Sequence, residues 1–300
     1  MTNYTNQYVP SIGLGTYNMS SEEAEFTTFH ALKHGYRHID TAAVYRNEDG
    51  VAKGLNTFLN DSDLKREDIF ITTKLWPGGL VKVDRIKDYT GTVKSFEKSL
   101  MRLNLDYIDL YLIHSPHGKS KRLEQWRALV DLKEAGKIKH IGVSNWGINH
   151  LSELKENDLP MPDANQIELH PWSQKPELVK FLRNEKIDII AYSSLVPLST
   201  WRHKDGENSK KTNEMHEIGL SENSPFKILA EKYDVTEAQF LLKWAVQNNY
   251  AVLPKSINIE RVKQNFELNF LIDQVDMEYI TTLDKGDSIT WEYGDPLKVK

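Results

Sequence analysis

Four ionisable side chains, Asp40, Tyr45, Lys74 and His114, lie in or just beyond three short apolar runs: His38-Ile39, Ile69 to Leu75 and Tyr107 to Ile113. Alone, Tyr45 or Lys74 reads as structural. If the three runs are neighbouring strands of a barrel, however, their ends converge on one point. There, inside apolar surroundings, an aspartate, a lysine and a histidine are costly to bury unless they satisfy one another, so their coincidence marks a candidate active site. The chain has no cysteine, which removes disulfides, thiolate metal ligands and a cysteine nucleophile from consideration.

The elements that must position these groups alternate along the chain. Five further runs, Ile141 to Ser144, Ala164 to Leu169, Ile187 to Tyr192, Ala251 to Leu253 and Leu268 to Phe270, bring the strand candidates to eight. Several are continuously apolar, as expected of strands buried on both faces of a parallel sheet. Between them lie helical spacings such as Val93, Phe96, Leu100 and Leu103, or Leu123, Trp126 and Val130. Ser20 with Glu23 and Thr236 with Gln239 fit capping boxes, Pro176 and Pro225 fit first helical positions, and Gly35 and Gly136 fit helix stops. Strand-helix units repeated over about 270 residues without a linker predict a single-domain (β/α)8 TIM barrel spanning 1–300, the alternative being a doubly wound open sheet. Tyr8 to Gly13 reads as a short N-terminal extended segment or hairpin closing the barrel floor. The polar stretch Ser199 to Asn223, after the run ending at Tyr192, reads as a long loop on the C-terminal face and a substrate lid.

Composition narrows the function classes. A net charge of −5 with scattered basic residues argues against a nucleic-acid partner, and Lys210-Lys211 and Lys119 to Arg122 read as solvated loop charges. No apolar run approaches the roughly 20 residues of a membrane-spanning helix. Met1 to Pro10 lacks the basic start and apolar stretch of a secretory signal, so the expected location is cytoplasmic. No heptad or exposed apolar stripe demands a partner, which suits a monomer or weak homo-oligomer.

The stretch Gly35-Tyr36-Arg37-His38-Ile39-Asp40-Thr41-Ala42, with Tyr45 and Glu48, resembles the first signature of aldo-keto reductases. Thr73-Lys74-Leu75-Trp76, Leu112-Ile113-His114-Ser115-Pro116, Ile141-Gly142-Val143-Ser144-Asn145, Asn165-Gln166-Ile167-Glu168, Ala191-Tyr192-Ser193-Ser194-Leu195 and Leu253-Pro254-Lys255-Ser256 follow in that family's order. The resemblance runs from Ile12-Gly13-Leu14-Gly15-Thr16 to Trp291 through Pro296. It implies the barrel and hydride transfer between NADPH and a small-molecule carbonyl, with Tyr45 as general acid beside Asp40, Lys74 and His114. A Lys74 ammonium next to Tyr45 is expected to lower the phenol's pKa towards working pH, while His114 orients the carbonyl oxygen.

The same resemblance assigns Ser144, Asn145 and Gln166 to the nicotinamide carboxamide and Tyr192 to stacking under the ring. It assigns Ser193 and Leu195 to the pyrophosphate, and Lys255, Ser256, Asn258 and Arg261 to a 2′-phosphate, with Gln264 and Asn265 at adenine. A guanidinium with an ammonium suits a dianionic phosphate, hence NADPH over NADH. Gly13, Thr16 and Tyr17 are expected to border the nicotinamide. The Gly13-Leu14-Gly15 pair is no Rossmann loop, since it lacks a third glycine and no strand-loop-helix unit is evident around it. Trp76 and Trp201 are expected to join Tyr45 and His114 around substrate.

Three departures from the family pattern stand out. Ser115 follows His114 where many members place tryptophan, which predicts a wider or more polar pocket. Ala52 replaces a glycine, and the turn near Asn6-Gln7 lacks its usual glycine. Two further readings use the same residues: physiological alcohol oxidation, and a non-catalytic NADPH-binding barrel acting as a sensor or subunit.

Overall fold

A computed structural model describes residues 6–81, 83–198, 217–218, 221–286, 290 and 295–300. Eight parallel strands run in sequence order: β1 Leu14–Gly15, β2 His38–Asp40, β3 Phe70–Leu75, β4 Ile108–Ile113, β5 Ile138–Ser144, β6 Ala164–Glu168, β7 Asp188–Tyr192 and β8 Ala251–Val252. A parallel bridge from Ile12 to Val252, with Gly13 N–H donating to Val252 O (2.8 Å) and Val252 N–H to Ser11 O (2.9 Å), joins the last strand to the first. The fold is the expected (β/α)8 barrel. The outer ring consists of α1 Ser21–Lys33, α2 Glu48–Asn60, α3 Tyr89–Leu103, α4 Arg122–Glu134, α5 Ile148–Glu156, α6 Pro176–Asn184, α7 Pro225–Lys232 and α8 Glu237–Gln247. It is followed by α9 Ile259–Phe266 and α10 Gln274–Thr281.

Two of the expected strand assignments change. Leu14–Gly15 is β1 and leads through a turn into α1, so a strand-loop-helix unit does surround the glycine pair. A two-residue strand is too short for a periodic signal, and glycine obscures it further. The glycines are there for close approach: a Cβ on Gly15 would sit 2.8 Å from Leu253 O, and one on Gly13 would sit 2.6 Å from the His38 ring. Leu268 to Phe270 has the strand-like apolar alternation but no strand pairing; β1 already occupies the eighth place, and this segment packs outside the barrel.

Period-two alternation sorts side chains into an outer and an inner core. Ile39, Ile71, Tyr111, Ile113, Ile141, Val143, Ile167 and Ile189 face the helices, in one large buried cluster with Leu32, Leu55, Phe96, Trp126 and Leu154. Leu110, Leu112, Ala164, Ile190 and Ala251 fill the barrel interior with Val9. The residues that share that inward parity but lie nearer the C-terminal ends, Asp40, Lys74, Ser144, Gln166 and Tyr192, are polar.

The helix signals read from sequence are met. Ser20 Oγ accepts from Glu23 N–H and Glu23 Oε2 from Ser20 N–H, and Thr236 and Gln239 form the same reciprocal box. Pro176 and Pro225 open α6 and α7, while Gly35 (φ 101°) and Gly136 (φ 70°) follow α1 and α4 in the left-handed region. Ala52 is buried within α2, whereas the tight α1–α2 contact uses Gly50 and Gly54.

The floor is closed by residues 6–9, with no antiparallel hairpin among the described residues. Gln7, Tyr8 and Val9 donate their backbone N–H groups to the Asp188 carboxylate at 2.8, 2.8 and 3.0 Å. Asn6 pairs its side-chain amide with both backbone groups of Ile189, and the Tyr8 ring stacks on His140 at 4.5 Å. No described helix is long and apolar enough to cross a membrane. Because three donors converge on one buried carboxylate, Asp188→Ala is expected to lower unfolding free energy by about 3 kcal/mol, and Asp188→Asn by roughly half of that, in urea titrations. A loss below about 0.5 kcal/mol for the alanine variant would remove Asp188 from its anchoring role.

Candidate active site

At the C-terminal ends of the strands a cavity of about 600 Å³ opens. Beneath it, Lys74 on β3 is fully buried and Asp40, ending β2, nearly so. The Lys74 Nζ donates to Asp40 Oδ1 at 2.5 Å and to Thr41 O at 2.8 Å, and Gln166 Nε2 on β6 donates to Asp40 Oδ2 at 2.8 Å. Both charges thus have several partners, which burial demands. Burial raises the Asp40 pKa against the pull of Lys74, and it lowers that of Lys74 against the pull of Asp40.

Tyr45 closes a short 3₁₀ turn, Ala43–Tyr45, and Arg46 behind it takes a left-handed φ of 60° that turns the chain into α2. Its ring lies 5.0 Å from Lys74 Nζ, 5.0 Å from the Tyr17 ring and edge-on to His114 at 5.6 Å. His114 follows β4 and is also edge-on to Trp76 at 5.7 Å; its buried Nδ1 has no hydrogen-bond partner among the described residues. Burial, then the Lys74 charge, holds the His114 pKa well below 6.5, so the imidazole is neutral near pH 7. The Trp76 indole is pinned in turn by Asp84 Oδ2 at 2.7 Å.

The sequence-based expectation for Tyr45 is reversed. Burial, followed by the negative charge of Asp40, pushes its pKa well above 10. Lys74 sits over the face of the ring with its charge paired to Asp40, and its pull on the phenol does not overcome burial and the Asp40 charge in the free protein.

The polar residues on the next strands form one chain. Tyr192 Oη donates to Asn145 Oδ1 (2.7 Å), and Asn145 Nδ2 donates to Ser144 Oγ (3.0 Å) and His114 O (3.2 Å). Ser144 Oγ donates to Gln166 O at 2.9 Å. Asn145 (φ 63°) and Ser193 (φ 58°) both hold left-handed backbone conformations at the mouths of β5 and β7. For a serine that costs on the order of 1 kcal/mol, a local strain of the kind found where a loop is shaped for binding.

The cavity brings together Tyr17, Asp40, Tyr45, Trp76, His114, Ser144, Asn145, Gln166, Tyr192, Ser193, Leu195 and Lys255. Gly13 and Thr16 are not on its surface. Gly13 abuts His38 inside the barrel, and buried Thr16 donates to Asp40 O at 3.1 Å, so both shape the floor under the cavity. Ser115 is fully buried, bonds His117 Nδ1 at 3.1 Å and is not on the lining, so its hydroxyl does not polarise the cavity as expected; Leu80, from the loop after β3, is on the lining. Beyond Lys255, Asn258 caps α9 by accepting from Arg261 N–H at 3.1 Å, and Arg261 and Gln264 are exposed while Asn265 is buried. Ser256 Oγ accepts from Asn258 N–H at 3.1 Å. Trp201, and the lid reading for most of Ser199 to Asn223, lie outside the described residues. Sequence reasoning missed Asn18, Val44, Leu80, Val196 and Thr290, loop residues with no periodic or motif signal.

A model of the Aldo/keto reductase family matches residues 11–285. The chain belongs to that family. The glyoxal reductase of Bacillus subtilis is 37% identical over 283 residues, which cover 94% of this chain and 91% of that protein. The crystal structure of MGS-M4, an aldo-keto reductase from a Medee basin deep-sea metagenome library, superposes with a TM-score of 0.80 at 37% identity, covering 96% of both chains. The Bombyx mori aldo-keto reductase in complex with NADP gives 0.80 at 30% identity, covering 93% of this chain and 91% of that one. As an aldo/keto reductase, the protein is an oxidoreductase enzyme.

Proposed function

We propose that this aldo/keto reductase reduces an aldehyde or ketone to the alcohol with NADPH, residues 1–300 acting as one barrel domain. The observation that carries the reading is the buried Asp40–Lys74 pair directly beneath Tyr45, with neutral His114 edge-on to the same ring. Bound NADPH supplies the hydride. As negative charge develops on the carbonyl oxygen, Tyr45 donates its proton to that oxygen, and the neutral His114 ring offers a second hydrogen bond to it. The raised Tyr45 pKa keeps the phenol protonated until a substrate oxygen is there to take the proton. Lys74, fixed by Asp40 and Thr41, then stabilises the phenolate left behind.

The residues present fit the cofactor. The cavity runs from Tyr45 past Tyr192, Ser193 and Leu195 to Lys255, and Asn145 and Gln166 present side-chain amides at its wall. Exposed Lys255 and Arg261 have no carboxylate within ion-pair distance among the described residues, which leaves a guanidinium and an ammonium for a 2′-phosphate. Complex formation with NADP by the Bombyx mori relative supports the same reading, and the Bacillus subtilis relative's activity on glyoxal points to small dicarbonyls as first substrates. The complete quartet argues against a non-catalytic sensor.

Tyr45→Phe is expected to lower kcat for glyoxal reduction at least 100-fold while NADPH binding and unfolding midpoint stay at wild-type values; a mutant keeping more than a tenth of the activity would remove the acid role. Arg261→Ala is expected to weaken NADPH about tenfold and NADH less than twofold in fluorescence titrations. Equal losses for both cofactors would remove the 2′-phosphate assignment.

A further inference from the structure

Thr290 lines the cavity although it lies 122 residues beyond the end of β6, and a side chain on that strand accepts hydrogen bonds from both its backbone N–H and its hydroxyl. Glu168, the last residue of β6, is almost completely buried. Its Oε2 accepts both the backbone N–H of Thr290 (3.1 Å) and its hydroxyl (2.7 Å), and its Oε1 bonds His170 Nε2 at 3.0 Å. Glu168 has the same strand parity as Gln166, whose amide holds Asp40. One face of β6 therefore fixes the ion pair with one side chain and the cavity wall with the next.

Residues 280–285, earlier in the chain than Thr290, are tied to the turn that follows β6. That turn is closed by an antiparallel bridge between His170 and Ser173. Lys285 N–H donates to Trp172 O at 2.9 Å, Gln174 N–H to Asp284 Oδ1 at 3.1 Å, and Gln174 Nε2 to Ile280 O at 2.7 Å. The Trp172 ring packs against Phe226 and Val196 with Leu283 alongside, and Val196 is itself on the cavity surface. The turn after β6 thus supports the cavity wall at Val196 through Trp172 and also holds residues 280–285, while Glu168 at the end of the strand holds Thr290.

We propose that Glu168 is a positioning residue whose carboxyl group latches Thr290 against the cavity wall and so sets the width of the cavity offered to the carbonyl substrate. The word substrate here rests on the reductase reading above; the latch itself does not. One carboxyl oxygen accepts both hydrogen bonds that Thr290 donates, so removing that side chain leaves both donors without it at once.

The test is hydrogen exchange by mass spectrometry on the full chain, run beside steady-state kinetics with NADPH and 4-nitrobenzaldehyde, an aldehyde large enough to touch the wall. In Glu168→Ala, exchange of the Thr290 amide, read from overlapping peptides that contain it, is expected to rise about tenfold, with no change in strand peptides. KM for the aldehyde should rise about fivefold or more while kcat and NADPH affinity stay within twofold, because the loss falls on substrate positioning. Glu168→Gln, which keeps an acceptor for Thr290, should recover most of both effects. Thr290→Val, which removes the hydroxyl bond alone, should give an exchange increase of roughly threefold.

Wild-type exchange at Thr290 in Glu168→Ala, or a parallel fall in kcat and NADPH affinity, overturns the proposal. Should Glu168→Ala fail to fold, unchanged exchange in Thr290→Val overturns it equally. Absence of turnover in the wild-type enzyme would count against the reductase reading, and the exchange result would still decide the latch.

Discussion

The Asp40 carboxylate and the Lys74 ammonium meet at 2.5 Å under the cavity, shut away from water. Removing one member of such a pair costs about 3–5 kcal/mol because the other is left charged and buried. The surrounding structure exists in large part to keep both satisfied. Adjacent parallel strands, paired Asp40 to Thr72, set the two side chains on one face of the sheet; β6 brings Gln166 across the barrel, and the turn after β2 supplies Thr41 O. Tyr45 and His114 are then placed against a charge arrangement that cannot relax. A site of this kind is preorganised, which is where electrostatic catalysis gets its advantage over water.

Barrel geometry explains why this is affordable only at one end. Inside the barrel the layers below are largely hydrocarbon, with Leu110, Leu112, Ala164, Ile190 and Ala251 in contact. His38, deeper on β2, shows what happens to an ionisable group there: burial depresses its pKa to about 3, and it serves as a neutral partner of Thr72. At the mouth, charges can be met by loop carbonyls and amides from several strands at once. The floor uses the converse device, a carboxylate on β7 collecting backbone N–H groups from the N-terminal segment.

The site was more legible in the sequence than the strand order. Asp40, Lys74, His114, Ser144, Gln166 and Tyr192 fall in contiguous strand-end motifs, where a short run of letters determines both residue type and position. The eight-strand count was right with the wrong member: Leu14–Gly15 is too brief to show a period, while Leu268 to Phe270 shows one without a pairing partner. Leu80, Val196 and Thr290 come to the cavity through loops whose paths depend on tertiary ties, so no spacing announced them. Ser115 shows the limit of substitution logic, since a polar residue polarises a pocket only if its side chain faces it, and this hydroxyl bonds His117 instead. The Tyr45 pKa departs from the sequence-based expectation because the sequence places Lys74 and Asp40 together without showing how deeply the phenol is buried or that burial and the Asp40 charge outweigh the ammonium.

The measurement that bears most directly on this account is the pH dependence of kcat/KM for carbonyl reduction, which reports ionisations of the free enzyme. With Tyr45 as the proton donor, its pKa held well above 10, and with His114 kept neutral by a pKa well below 6.5, the profile should be flat from about pH 6.5 to 9 and fall only at more alkaline pH. A loss of activity centred between pH 6 and 7.5 as a single group deprotonates would make a histidine the acid and contradict the account.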